Sequence, residues 1–196
     1  MVEGGGSKTF SRAKRWLFMY PDESRNLLQM ITDTVIDYLA EQVLAGAQMI
    51  QVFDSWAGEL APFHFDTFCL PYLAQIAVKL RDRLHRLIPA EKIPLALFAK
   101  GAMGHNGNEL KLASLGYDVL ALDWSIDPES LLLQSMLLNK KQGNNLTCTA
   151  LQGNLDPCCL FAPDDVIRSL VADNLAKFQS LPFGHIVNLG HGMAST

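Results

Sequence analysis

The sequence is poor in cysteine and in charge, and it contains no long apolar run. Four cysteines in 196 residues are too few for a disulfide framework, and their spacing matches neither a CxxC redox site nor a zinc site. This usage favours a reducing compartment, and we expect a cytoplasmic protein. No apolar run reaches the roughly 18 residues that a membrane span needs, so no membrane partner is expected.

The charge balance also argues against one class of partner. A formal net charge of -4 argues against nucleic acid, because a phosphate-binding surface needs a concentrated basic excess. The segment Met1–Gly6 lacks the basic and apolar regions of a secretory signal. Since 49% of the residues are hydrophobic, the chain can bury a substantial core, and we expect residues 1–196 to form a single domain.

Apolar runs alternate with helical patterns along the whole chain, which is typical of an α/β protein. Short crossovers would make all the strands parallel. Two architectures fit, an open doubly wound sheet and part of a (β/α)8 TIM-type barrel. We favour an incomplete barrel of about five parallel βα units, since no strand precedes the Gly-rich turn Gly4–Gly6 and the chain ends soon after the last strand. The predicted strands are Gln48–Phe53, Pro94–Ala99, Asp118–Asp123, Thr147–Gln152 and Ile186–Leu189.

Several segments between the predicted strands have the apolar pattern of a helix. Between Asp22 and Gly46, apolar residues recur every four positions, at Leu27, Ile31, Val35, Leu39 and Val43. A second pattern has spacings of three and four, at Leu73, Ile76, Leu80, Leu84 and Leu87. A short helix is expected at Asn108–Leu115, a leucine-rich one at 131–138, and one carrying Val166 to Phe178 after Pro163. The basic residues of the second pattern are interpreted as a solvated surface. The triplet Asn145–Thr147 matches a glycosylation sequon, which we interpret as a chance match.

The run Gln51–Gly58 changes abruptly from apolar to small and polar residues. It predicts a buried strand that ends in a loop. Ligands bind beyond the carboxyl ends of parallel strands, so Asp54, Ser55 and Gly58 become candidate site residues. Taken alone, the run equally fits a strand-to-helix turn that needs serine and glycine for its geometry, and we prefer that interpretation for the stretch by itself.

The segments at the predicted strand ends, taken together, resemble the uroporphyrinogen decarboxylase family over nearly the whole chain. That family has a distorted (β/α)8 barrel. The resemblance is most specific in the last two of the matching segments, which are MVEGGGS (1–7), AKRW (13–16), QVFDSWAG (51–58), FAK (98–100), GYD (116–118), LDW (122–124), LQGNLDP (151–157) and NLGHG (188–192).

The resemblance implies a cofactor-free decarboxylation in haem biosynthesis. Uroporphyrinogen, a polycarboxylate tetrapyrrole, loses the carboxyls of its four acetate arms and becomes coproporphyrinogen. Protonating a pyrrole carbon makes the ring a cationic electron sink, which a buried carboxylate stabilises. Carried onto this chain, the family pattern makes Ser55 and His191 substrate-binding residues, each contacting a substrate carboxylate. No metal and no cofactor is implied.

The chain departs from the family pattern in ways that limit the expectation. It resembles only the C-terminal part of the family's barrel, so the family's aspartate and tyrosine would precede Met1, and the closing helix is absent. No catalytic residue is therefore assigned within this chain, and we expect a fragment that is inactive alone. The connection Ser125–Ala150 is longer than in the family, and the loop Lys100–Asn108 differs. The family also implies a possible homodimer.

Other chemically interesting residues have plainer explanations. Asp123 and Asp156 are expected to be turn and helix-cap residues, and Cys158–Cys159 small residues at a helix start. Tyr117 is expected to pack at a strand edge, and His185 is too far from His191 in sequence for a single-turn metal pair. Two alternatives stay open: a catalytically dead remnant that binds or dimerises, and a corrinoid-linked methyltransferase, which would need a His/Cys zinc site.

Overall fold

The computed structural model describes residues 2–103, 108–130 and 149–193, without the side chain of Glu109. The leucine-rich helix at 131–138, the sequon and the glycines at 104 and 107 lie outside the described residues. All five predicted strands are present, and α3 was not predicted. In chain order the elements are α1 Ser11–Met19, α2 Pro21–Leu44, β1 Ile50–Asp54, a 3-10 turn Ala57–Glu59, α3 Pro62–Phe68, α4 Leu70–Leu87, β2 Leu95–Ala99, α5 Asn108–Ala113, β3 Val119–Ala121, β4 Ala150–Leu155, a 3-10 turn Pro157–Phe161, α6 Asp164–Gln179 and β5 Gly184–Leu189.

The strands form one sheet in the order β1-β2-β3-β4-β5. Every neighbouring pair is parallel. A doubly wound sheet would reverse its strand order at a switch point, whereas a barrel adds each strand beside the previous one. The described strands therefore have the arrangement of a partial TIM-type barrel, as the sequence predicted.

The contacts divide the chain into two compact units, each made of discontinuous segments. The first comprises the described residues of Met1–Ala47 and Glu59–Lys92 and contains helices α1 to α4. The second comprises those of Gln48–Gly58 and Ile93–Thr196 and contains the sheet with α5 and α6. The chain passes between the units at 47/48, 58/59 and 92/93, so neither unit is one continuous stretch. That they fold as a single domain stays a prediction.

In the helical unit, α2 begins with Pro21 at its first position and with Asp22 and Glu23 in its first turn, which suits the positive end of the helix dipole. Its buried face was predicted slightly out of register. Ile31 is 37% exposed, whereas Ile36 is buried, because a strict spacing of four drifts away from the 3.6-residue period of the helix.

Helix α4 buries the predicted apolar residues except Leu87, which is exposed at the helix end. Its basic residues are partly used in contacts with α2. Lys79 Nζ lies 3.2 Å from Asp33 Oδ1, and Arg83 contacts Asp37 and, at 3.9 Å, Glu41. These exposed ion pairs align the two helices and contribute little stability, since solvent screens them.

In the sheet unit, β2 is buried along its whole length, as expected for a central parallel strand. The periphery is more open than the sequence predicted. On α6 the only buried residue is Phe178, and Val166 is 41% exposed. Strand β5 is mostly exposed too, with Val187 at 62%. Among the described residues, no helix combines the length and apolar character needed to cross a membrane.

Candidate functional site

A cavity of about 390 Å³ opens on the sheet unit, and both site residues predicted from the sequence line it. Ser55 follows the last residue of β1, and His191 lies two residues beyond β5. These are the first and last strands of the sheet. The cavity thus brings together two residues that are 136 positions apart in the chain (191 minus 55). Its lining is Gln51, Phe53, Ser55, Phe98, Ala121, Leu122, Gln152, Asn188, Leu189, His191 and Gly192.

The sheet is strongly curved around this cavity. Gln51 on β1 and Gln152 on β4 are separated by three strand spacings, roughly 14 Å in a flat sheet. Their side-chain amides nevertheless lie 3.3 Å apart, with Gln152 Nε2 donating to Gln51 Oε1. Phe98 on β2 likewise contacts His191 beyond β5, with ring centroids 6.0 Å apart. The cavity is therefore the concave side of a barrel wall.

The His191 ring is held by aromatic neighbours. It meets Trp124 edge-to-face, with ring centroids 5.7 Å apart and planes at 88°. The preceding Gly190 donates its backbone N–H to Leu155 O at 2.7 Å, which ties the loop to the end of β4. Edge-to-face packing of this kind fixes a ring's orientation, so His191 presents its nitrogens in a restricted direction.

Asp123 is a structural residue, as the sequence analysis expected. It is buried, and its carboxylate accepts hydrogen bonds from Gly101 N at 2.7 Å, from Ser125 N at 2.9 Å and from the Ser125 hydroxyl. Asn154, also buried, donates to the backbone carbonyls of Asp123 at 2.9 Å and Ile126 at 2.6 Å. These bonds fix the loop that carries Trp124 against the ends of β2 and β4.

The loops after β1 and β2 touch through their backbones. A Cβ atom on Gly58 would lie 2.8 Å from Gly101. Gly58 is therefore needed for close packing of the two loops, which agrees with the interpretation of this run as a turn that needs glycine for its geometry. Asp54 does not line the cavity. The neighbouring Lys100 Nζ lies 5.1 Å from the ring centroid of Trp124 and 5.9 Å from that of Trp56, which are cation–π distances.

The other residues singled out in the sequence have structural roles. Asp156 caps the 3-10 turn Pro157–Phe161 by accepting from Cys158 N at 2.9 Å. Its negative charge, followed by desolvation, raises the pKa of the Cys158 thiol, so that thiol is not activated as a nucleophile. Tyr117 is fully buried, and burial raises the pKa of its phenol. Its predicted packing role is confirmed.

Among the described residues that line the cavity, none is Asp or Glu. Within the described ranges, no three His, Cys, Asp or Glu side chains are placed to share a metal ion. The polar lining groups are the Ser55 hydroxyl, the His191 ring and three amides, those of Gln51, Gln152 and Asn188. Hydroxyl, imidazole and amide groups in apolar walls suit an uncharged or anionic ligand.

The two cavity glutamines were not predicted as site residues, and Trp124, like Asp123, was expected to be a structural residue at a strand end. Gln51 and Gln152 stand in strands that are otherwise largely apolar. A polar side chain in a buried strand breaks the local pattern and often marks a functional position, so this signal was available. The contact between the two glutamines could not be predicted from the sequence, because it depends on the curvature of the sheet.

A parallel sheet wound strand by strand, with a ligand cavity beyond its carboxyl ends, defines a TIM-type α/β protein. Comparison with known proteins refines this class. The family model for uroporphyrinogen decarboxylase (URO-D) matches residues 1–196, and the chain belongs to that family. The resemblance found in the strand-end segments is confirmed.

Curated relatives named uroporphyrinogen decarboxylase support the same assignment. One from Salinibacter ruber is 49% identical over 98% of this chain, which is 49% of the relative's length. Those from Schizosaccharomyces pombe and Homo sapiens are 41% and 43% identical over the same share, covering 50% and 48% of their lengths. The chain therefore spans about half the length of the curated relatives it matches.

Proposed function

We propose that this chain forms the substrate-binding wall of a uroporphyrinogen decarboxylase, with Ser55 and His191 as its carboxylate contacts. The observation that carries the proposal is that one cavity brings these two residues together, with no acidic side chain among the described residues of its lining. A polycarboxylate macrocycle needs such a surface, since a nearby carboxylate would repel its arms. The ligand we propose is uroporphyrinogen, because the curated relatives are named uroporphyrinogen decarboxylase.

The reaction proposed for the whole cleft is a cofactor-free lyase step. A proton adds to a pyrrole carbon, the C–C bond to the acetate carboxyl breaks, and CO2 leaves while its bonding pair moves into the cationic ring. A second proton on the methylene gives a methyl group, and the ring proton is released. The net change for each arm consumes one proton and one carboxylate and yields one CO2 and one methyl.

This chain's residues bind and orient but do not stabilise the ring cation. That task needs a carboxylate near the pyrrole, and the described cavity lining contains none. We therefore propose that residues 1–196 alone bind the tetrapyrrole without converting it. Turnover of uroporphyrinogen by the purified chain, followed as coproporphyrin after oxidation of the products, would contradict this proposal.

Binding itself tests the proposal directly. Trp124 contacts His191 at 5.7 Å, so uroporphyrinogen in the cavity should change the tryptophan fluorescence of the chain under anaerobic conditions. The variants S55A and H191A should each weaken binding, because each removes a carboxylate partner. S130A is the matched control, since Ser130 is exposed, does not line the cavity and donates its hydroxyl to Asp127 O at 2.7 Å. Equal affinity of all four proteins would refute the assigned roles.

Two further expectations, a cytoplasmic location and a homodimer, remain proposals. Among the described residues, Cys158 and Cys159 are free thiols, which supports a reducing, cytoplasmic setting. A homodimer is supported by the exposed β5, whose Ile186 and Val187 are accessible, because an open apolar strand favours association. Sedimentation equilibrium of the wild type and of V187K, which places a charge on that strand, tests this. A monomer at all concentrations would exclude it.

A further inference from the structure

We propose that the amide pair Gln51–Gln152 is a carboxylate-binding subsite for one arm of the tetrapyrrole, separate from Ser55 and His191. The proposal rests on the proposed function, because it assigns two further binding residues to the same cavity. Gln51 lies three residues before Asp54, the last residue of β1. Its backbone is therefore roughly 10 Å from the strand end that Ser55 follows. The pair therefore lies deep below the loop residues.

The hydrogen-bonding capacity of this pair is largely unused within the described chain. Two carboxamides together offer four N–H groups and two carbonyl oxygens. The bond between them uses one N–H and one oxygen, and neither side chain has another partner among the described residues. Three N–H groups remain, together with the second lone pair of the bonded oxygen and both lone pairs of the other oxygen, and turning both amides together leaves this count the same.

Such spare capacity is unusual for a buried residue. Gln152 is only 6% exposed, and buried polar groups are almost always satisfied by the protein, by water or by a ligand. The surrounding cavity residues Phe53, Phe98 and Leu122 supply apolar walls and no hydrogen-bond partner. The pair is therefore arranged to receive a group that enters the cavity.

The chemistry of that group follows from the three N–H groups and from the ligand of the proposed function. A group with several acceptor sites on neighbouring oxygens can accept from more than one of these N–H groups at once. A carboxylate is such a group, and its bonds to N–H donors are strengthened by its charge. No acidic side chain among the described lining residues opposes it. The ligand class is an alkyl carboxylate, supplied by an acetate or a propionate arm.

The test measures anaerobic binding of uroporphyrinogen and coproporphyrinogen to the whole 196-residue chain by tryptophan fluorescence. Q51L and Q152L should each weaken uroporphyrinogen binding on the order of tenfold. The matched control is Q75L, which breaks another glutamine–glutamine hydrogen bond, Gln29 Nε2 to Gln75 Oε1 at 3.1 Å on α2 and α4. Q75L should leave the affinity unchanged.

The two ligands identify the arm. Coproporphyrinogen has methyl groups in place of the acetates, so an acetate in the subsite predicts that Q51L and Q152L affect uroporphyrinogen alone. A propionate predicts equal losses for both ligands. Either pattern supports the subsite.

A charged variant separates binding from folding defects. Q51E has nearly the shape of the wild type but should repel a carboxylate, so its loss of affinity should exceed that of Q51L while its near-ultraviolet circular dichroism stays the same. If the wild type binds and Q51L, Q152L and Q51E all bind as Q75L does, the subsite is refuted. If the wild type binds neither ligand, the proposed function itself fails.

Discussion

Gly190 lies so close to Trp124 that a Cβ atom on the glycine would be 2.4 Å from the tryptophan backbone nitrogen. A side chain at residue 190 must push apart the β5 loop and the loop after β3. The two loops carry His191 and the indole packed against it, so this close approach sets the geometry of the predicted contact residue.

We expect G190A to destabilise the chain by about 1–3 kcal/mol, the usual cost of overpacking a filled site. Urea denaturation measures this change. G192A is the matched control, because a Cβ at Gly192 meets nothing within 4 Å. Equal stability of the two variants would show that the loops adapt freely.

Asp123 should be needed for stability without contacting the ligand. D123A removes the acceptor for the N–H groups of Gly101 and Ser125. Leaving such buried donors without an acceptor costs about 1–3 kcal/mol. The control D127A breaks an exposed ion pair with Lys177 at 3.7 Å and should cost less than about 1 kcal/mol. Urea midpoints of both variants test the difference, and a larger loss for D127A would contradict the structure.

Tyr117 should make the stability depend on alkaline pH. Burial raises the pKa of its phenol, so the folded state keeps its proton at a pH where the unfolded chain releases it. The stabilisation is complete below the unfolded pKa near 10 and falls above it, by up to about 1.4 kcal/mol per pH unit. Y117F lacks this ionisation and should lose stability less steeply between pH 10 and 11 (roughly one unit above the reference value), as urea denaturation would show.

Removing the ring should cost far more than removing its hydroxyl. Y117A leaves a cavity in place of a fully buried side chain, and such truncations cost about 3–5 kcal/mol. The variant Y117F keeps the ring and isolates the hydroxyl contribution. Similar losses for both would mean that the hydroxyl, not the packing, dominates at this position.

Cys158 should react slowly with alkylating reagents until Asp156 is neutralised. The carboxylate charge of Asp156 is the main cause that raises the pKa of the thiol. We expect D156N to speed modification of Cys158 a few-fold at pH 8, because asparagine keeps the cap but removes the charge. Peptide-level mass spectrometry follows the reaction. D165N, in the first turn of α6, is the control, and equal rates for the two variants would exclude the charge effect.

The sequence predicted the strands well because each is an apolar run bounded by turn residues. The end of β4 was the main error. Gly153 and Asn154 indicated a turn, yet they pair with Val187 and Asn188 and extend the strand to Leu155. Gly153 adopts φ +124°, which glycine alone tolerates easily, so pairing with β5 outweighed the local turn preference.

The site was predictable only in part. Ser55 and His191 follow strand ends and match family segments, so the sequence indicated both. The contact between Gln51 and Gln152 spans 101 positions in the chain and arises from the curvature of the sheet. The exposure of Val166 on α6 was missed for a related reason, since periodicity shows which side of a helix is apolar but not whether anything covers it.

The strand order has a consequence for how the chain is made. Neighbouring strands of the described sheet are consecutive in the sequence, so each described ladder closes the chain segment between one strand and the next. The loop-closure entropy of such a segment grows slowly with its length. The described strands can therefore pair one after another as the polypeptide leaves the ribosome.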